Sequence, residues 1–297
     1  MLGPTAAGKS AVAMAVAEQV EAEIISVDSM QVYRWMDIGT AKTSPAERAR
    51  VRHHMIDVIE PSESYSVAEF RAEALESTAD VIGPLLIAGG SGLHFRSLVD
   101  PFDFAPADEG VRAELDSSPF EDLVGELLEA DPAAPAHVDM ANRRRVARAV
   151  EVLRITGMTP SLRAASPRAA AVRTYQAERP VIAVGLDPGP VLRERVERRF
   201  ARMIEAGLPA EVEQLMPHWG TTASQAVGYR EMARVVVGDW TLEEGIRRAV
   251  DATTSLARRQ RTFFRRDPRI AWLEWDDDPQ LLAERALRRF QEAAWTS

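Results

Sequence analysis

Apolar positions in the first hundred residues alternate between two periods. Ser10–Val20 carries Val12, Val16 and Val20 at helical spacing behind a glycine turn, and Val67–Asp80 does the same with Ala68, Ala72, Leu75 and Ala79. Pro45–Arg52 reads as a further helix. Short apolar runs lie among them: Glu23–Val27, ending at Asp28, and Pro84–Ala88, broken by Gly89-Gly90. Such runs predict buried strands. Strands alternating with helices need crossover connections, so the expected sheet is parallel. From about Phe102 to Ala177 only helical signals occur (Glu109–Leu115, Phe120–Glu129, Asn142–Ile155), separated by proline-rich joints. A strand returns at Val181–Leu186, followed by a strong helix at Val191–Glu205. More helices, an edge strand at Ile270–Trp275 and a closing helix from Pro279 complete the chain. The pattern predicts an α/β fold, a parallel-sheet core formed by residues 1–101 and 178–297, interrupted by an all-helical insertion at 102–177.

Composition narrows the chemistry. Among 297 residues 46% are apolar, enough for a sizeable core, and none is cysteine. Disulfides, thiolate metal sites and a cysteine nucleophile are therefore excluded. No apolar run reaches the ~18 residues needed to cross a bilayer and no basic-then-apolar leader opens the chain, so a cytoplasmic protein without a membrane partner is expected. The net charge of −9 does not suggest a nucleic-acid partner. Binding depends on where cations sit, however, rather than on their sum. Only two of the 36 basic residues are lysines, Lys9 and Lys42. Both fall inside motifs.

The first motif is Gly3-Pro4-Thr5-Ala6-Ala7-Gly8-Lys9-Ser10, a complete G-x-x-x-x-G-K-[ST]. Its glycines let backbone N–H groups curl around phosphate oxygens at the positive end of the following helix. Lys9 would reach the outer phosphate and Ser10 would ligate Mg²⁺. Such a loop follows a strand of about five residues, yet only Met1 and Leu2 precede Gly3. A short or missing central strand, and a weakened core, are expected. A phosphotransferase also needs a second carboxylate at a strand end. Asp28 is the one carboxylate that ends a clear apolar strand, and it serves either as a metal ligand or as a base beside the phosphate site.

Further motifs follow in order: Ser26-Val27-Asp28-Ser29-Met30-Gln31-Val32-Tyr33, Met36-Asp37-Ile38-Gly39-Thr40-Ala41-Lys42, His53-His54-Met55-Ile56-Asp57, Gly89-Gly90-Ser91-Gly92-Leu93 and Gln225-Ala226-Val227-Gly228-Tyr229-Arg230. Together with the glycine loop they resemble the tRNA dimethylallyltransferases (tRNA isopentenyltransferases) over nearly the whole chain. Trp35 stands where a glycine is usual, His94 where a tyrosine is usual, and Ser91 where threonine is more common.

The resemblance implies a P-loop NTPase-like core whose loop, Gly3 to Ser10, holds the diphosphate of dimethylallyl diphosphate. It implies transfer to the N6 amine of the adenosine 3′ of the anticodon, in tRNAs that read codons beginning with U. Asp28 would orient the amine and take its proton, and Ser91 would donate to the diphosphate. Arg199 matches the family's diphosphate-contacting arginine; it lies in a stripe with Arg195 and Arg202 beside the apolar face Leu192, Val196, Phe200 and Met203. Family positions mark Asp28, Ser29, Met30 and Gln31, Ser91, Arg143, Arg144 and Arg145, and Gln225, Gly228, Tyr229 and Arg230 as facing tRNA, with Arg112 near the insertion's start. A second arginine cluster, Arg258 to Arg266, surrounds Gln260, Phe263 and Phe264. A monomer acting on the anticodon stem-loop with Mg²⁺ is expected. The residues alone leave open a small-molecule kinase or ATPase, an adenylate isopentenyltransferase and a non-catalytic RNA binder. His53 and His54 are adjacent, which does not suit a helical zinc pair, and read as structural.

Overall fold

The computed structural model describes residues 1–294; residues 295–297, at the end of the second core segment, lie outside the described residues. The chain divides into two compact units, Met1–Leu98 with Val181–Ser297, and Val99–Pro180.

The first unit opens with α1 (Lys9–Val20), whose cap Gly8 has φ of 86°, a conformation glycine adopts without strain. Every residue from Val12 to Ala17 is buried, so α1 is a central helix rather than a surface one. β1 (Glu23–Val27), α2 (Pro45–Arg50), β2 (His53–His54), α3 (Val67–Ser77), β3 (Leu85–Gly89) and α4 (Gly92–Val99) follow. Capping boxes start α2 at Ser44 and Glu47 and α3 at Ser66 and Glu69. The three strands form a parallel sheet in the order β2-β1-β3, with Ile24 opposite both His53 and Leu86.

The second unit has no strand among the described residues. It comprises α5 (Glu109–Ser117), α6 (Phe120–Ala130), α7 (Arg143–Thr156), α8 (Pro160–Ala164) and α9 (Pro167–Arg173). Its core is Leu115, Leu123, Leu127, Ala134, Val146 and Val150. Asp108, Asn142, Thr159 and Ser166 each cap a helix start through a side-chain oxygen.

The chain then returns to the first unit through β4 (Ala183–Gly185), α10 (Leu192–Glu205), α11 (Leu208–Leu215), α12 (Tyr229–Val236), α13 (Leu242–Arg265), β5 (Ile270–Trp272) and α14 (Pro279–Ala294). β4 and β5 form a parallel pair. Leu2 sits between the two sheets, bridged to Gly89 on one side and Gly185 on the other. Its N–H donates to Val184 O at 2.9 Å, and its carbonyl accepts from Leu186 N–H at 2.9 Å. Two residues thus occupy the slot of the strand that the glycine loop requires. The small residues of α1 let α14 approach: Ala13 and Ala17 share one buried cluster with Ala283 and Ala286.

Several boundaries differ from the sequence reading, and one strand is absent from it. The strand expected at Val181–Leu186 is only Ala183–Gly185, and the edge strand ends at Trp272 rather than Trp275. β2 has no apolar pattern to reveal it. His54 is buried there with Nε2 2.6 Å from Glu23 Oε2, and His53 Nδ1 lies 2.8 Å from Val51 O.

Candidate functional site

The site collects at the carboxyl ends of β1 and β3, where strand-end loops meet the start of α1. The Gly3–Ser10 loop turns through positive φ at Ala6 (63°) and Gly8 (86°). Lys9 folds back over it and donates from Nζ to Pro4 O at 2.7 Å. Burial lowers the Lys9 pKa to about 8, opposed by the attraction of Asp28 and helped by the repulsion of Arg199. Ser10, one residue on, is exposed.

Two elements remote in sequence hold this loop. From α10, Arg199 donates to Thr5 Oγ1 at 3.0 Å and to Thr40 O at 3.2 Å. One turn earlier Arg195 donates to Ala6 O at 2.8 Å. From α13, Gln260 Oε1 accepts the Thr5 N–H at 2.8 Å. Burial pushes the Arg199 guanidinium below its ordinary pKa, against the pull of Asp28. A cation held with few compensating charges suits an anionic ligand.

Asp28 leaves β1 with Oδ1 accepting the Met30 N–H at 2.9 Å. Its other oxygen has no hydrogen bond among the described residues. Ser91 is fixed alongside, because its N–H donates to Val27 O at 2.9 Å. The glycines around Ser91 permit close packing: a Cβ at Gly92 would lie 2.2 Å from the Phe263 ring, and one at Gly90 2.7 Å from Gln260 Nε2.

These groups line a cavity of about 340 Å³. Its polar lining includes Thr5, Asp28, Ser91, Arg199 and Gln260, and its apolar lining Val196, Phe200, Met203, Val227, Leu256 and Phe263. A smaller cavity of about 80 Å³ joins Lys9, Ser10, Asp28 and Arg199. The two cavities share Asp28 and Arg199, so cations and a carboxylate lie beside an apolar wall suited to a short hydrocarbon.

The segment from Tyr33 to Lys42 is braced from both sides. Lys42, its side chain 2% exposed, directs Nζ at Tyr33 O (2.8 Å), Asp37 Oδ1 (2.6 Å) and Asp57 Oδ1 (2.6 Å). Glu211 on α11 accepts the N–H groups of Asp37, Ile38 and Gly39 at 3.1, 2.8 and 3.2 Å, and the Tyr229 hydroxyl at 2.6 Å. Burial and the Glu211 charge push the Tyr229 phenol upward. Trp35 has φ of 65°, a left-handed conformation that glycine would adopt with less strain. Its indole N–H donates to Glu60 at 3.2 Å.

Several expected tRNA-facing residues make hydrogen bonds within the protein. Gln31 is buried: its Oε1 accepts from Ser26 Oγ at 2.9 Å and its Nε2 donates to Thr40 O at 3.3 Å. Tyr229 is fully buried, and so is the Gly228 backbone. Arg143 donates to the carbonyls of Leu115, Asp116 and Ser118, which close α5. Arg112 pairs with buried Glu151 at 2.9 Å, as Arg148 does at 2.5 Å. These residues build structure, because a buried carboxylate or a helix end needs the donors they carry. Arg144, Arg145, Gln225 and Arg230 are exposed, Arg230 beside Glu231 at 2.6 Å. Ser29 and Met30 are half-buried on the cavity. Sequence reasoning missed Glu211 and Thr40 and gave Gln260 no task at the loop. Only Thr40 lies in a motif.

The IPP transferase family model matches residues 31–267. The chain belongs to the IPP transferase family. Among curated IPP transferase relatives, the tRNA dimethylallyltransferase of Salinispora arenicola is 40% identical over 99% of this chain and 86% of its own. That of Corynebacterium glutamicum is 38% identical over 94% of each chain. The crystal structure of the full-length tRNA isopentenylpyrophosphate transferase from Bacillus halodurans matches with a TM-score of 0.68 at 33% identity, covering 99% of this chain and 97% of that one.

Proposed function

We propose that this IPP transferase is an enzyme that transfers a dimethylallyl group from dimethylallyl diphosphate to the N6 amine of an adenosine in tRNA. The finer reading is that the adenosine lies 3′ of the anticodon in tRNAs reading codons that begin with U. The observation that carries the reading is that Asp28 and Arg199 line two cavities at once, a small one shared with Lys9 and Ser10 and a larger one walled by apolar side chains.

In this reading the core is P-loop NTPase-like and its Gly3–Ser10 loop takes a diphosphate rather than a nucleoside triphosphate. Loop amides, Lys9 and Arg199 bind the diphosphate, while Val196, Phe200 and Phe263 cover the dimethylallyl chain and exclude water. The adenine amine is a weak nucleophile because its lone pair is delocalised. Asp28, with one oxygen tied to Met30, uses the other to orient the amine and accept its proton as the C–N bond forms. The allylic C–O bond breaks and its electron pair leaves with diphosphate, where Lys9, Arg199 and the Ser91 hydroxyl stabilise the developing charge.

Mg²⁺ fits the hard-oxygen donors at the loop, since Ser10 and Asp28 line the same small cavity. Ser10 would hold the ion together with the diphosphate, and it would offset leaving-group charge. Exposed Arg144 and Arg145 of the insertion, and Gln225 and Arg230 of the core, are the proposed tRNA contacts. No helix among the described residues is long and apolar enough to cross a membrane. A cytoplasmic monomer is the proposed working form.

The test is transfer of labelled dimethylallyl groups to unmodified tRNA and, separately, to AMP. Label in tRNA alone supports the reading. Label in AMP moves the chain to free-nucleotide chemistry, and ATP turnover without tRNA favours a kinase.

A further inference from the structure

Ser91 and His94 lie three residues apart at the start of α4. A serine just before a helix ordinarily accepts the backbone N–H three residues on. Here its Oγ lies 2.6 Å from the ring Nδ1 of that residue. The Ser91 backbone is tied to Val27, and Ser91 lines the same cavity as Asp28. The His94 ring is buried and packs edge-on to Phe70, with 4.5 Å between centroids. Burial holds its pKa at about 4 despite the attraction of Asp28, so the imidazole is neutral and carries one N–H.

A neutral imidazole either donates or accepts at Nδ1, and the two cases have opposite consequences for Ser91. The hydroxyl has one proton. If Nδ1 accepts, that proton is spent inside the protein; if Nδ1 donates, the proton is free to point into the cavity. Charge decides between them. Asp28 in the free protein, and a phosphate group when bound, lie on the cavity side, and a donor chain that ends at an anion is strengthened along its length.

We propose that His94 is a positioning residue whose Nδ1–H donates to Ser91 Oγ and so turns the Ser91 hydroxyl into a donor toward the diphosphate. The inference rests on reading the cavity as a diphosphate site. It also gives a task to a position where this chain departs from the usual tyrosine.

The experiment titrates the full chain with inorganic pyrophosphate by calorimetry. His94→Phe, which keeps the packing on Phe70 but lacks the donor, weakens binding about 5- to 10-fold, the size of one hydrogen bond between neutral groups. His94→Asn, whose amide presents an N–H near the position of Nδ1, recovers most of the loss. In a Ser91→Ala background His94→Phe costs less than about twofold more, because the two side chains act through one bond. Losses that simply add would overturn the proposal. A second readout needs no variant: in the ¹⁵N-histidine spectrum with pyrophosphate bound, the His94 proton resides on Nδ1. A proton on Nε2 would overturn it equally. Neither readout uses tRNA, so a chain that shows this coupling yet prenylates no tRNA refutes the proposed function and leaves the inference standing.

Discussion

Replacing Arg199 with alanine removes one cation while leaving the rest of the loop in place. The guanidinium makes two bonds to the protein, at 3.0 Å to Thr5 Oγ1 and 3.2 Å to Thr40 O. Two bonds to neutral groups are worth about 0.5–1.5 kcal/mol each, so the variant remains folded with a stability loss of about 1–3 kcal/mol. Its larger effect falls on the transition state, where charge accumulates on the leaving diphosphate. Loss of one preorganised donor at such a site costs about 2.7–4 kcal/mol, or 10²–10³ in rate. Burial has already lowered the guanidinium's pKa, so desolvation is met during folding and the full interaction is available to the ligand. Single-turnover transfer to saturating tRNA gives the chemical rate, and a urea midpoint gives the stability. Arg199→Ala should slow transfer at least about 100-fold with tRNA affinity unchanged. Arg199→Lys keeps charge but cannot span Thr5 and Thr40 together, and falls between. A folded Arg199→Ala variant within about threefold of the wild-type rate would refute the assignment.

Lys42→Arg should cost about 2–3 kcal/mol by urea unfolding, because a planar guanidinium cannot direct three donors at the convergent acceptors Tyr33 O, Asp37 and Asp57; an unchanged midpoint would contradict this. Lys9, lowered to about 8, is neutral in the folded protein between there and its ordinary pKa, where the unfolded chain still carries the proton. Stability therefore rises with pH across that window, while diphosphate affinity falls; calorimetry in buffers of different ionisation heat should show proton uptake on diphosphate binding near pH 8, and no uptake would argue against Lys9 as a ligand. Trp35→Gly relieves φ of 65° and should stabilise by at most about 1 kcal/mol, net of the lost Glu60 bond, with transfer activity retained; a loss above that would show the indole to be structural.

What the sequence made legible follows from how local each signal is. β1 is buried and β3 partly so, and both carry apolar runs that stand out; Asp28 is visible because it ends one of them. The Gly3–Ser10 spacing is local too. β2 is two histidines long and is held by pairing with β1, which leaves no pattern of its own. Glu211 and Gln260 reach their partners across 174 and 255 residues, distances over which no periodicity speaks. The bonds of Arg112 to Glu151 and of Arg143 to the end of α5 are not legible either, because an arginine closing a helix and one awaiting phosphate look identical in one dimension. Gln31 and Tyr229 line the cavities and also hold the loops around them, a second task that their motifs do not reveal.

The most direct test of the central claim is the single-turnover rate of Asp28→Asn, with tRNA affinity measured alongside. The amide preserves shape and the bond from the Met30 N–H but cannot take a proton. Transfer should slow by about 10²–10⁴, the range for loss of a general base, while tRNA still binds as before. Wild-type transfer by the folded variant would show that Asp28 is not the base, and the chemistry assigned to this cavity would fall with it.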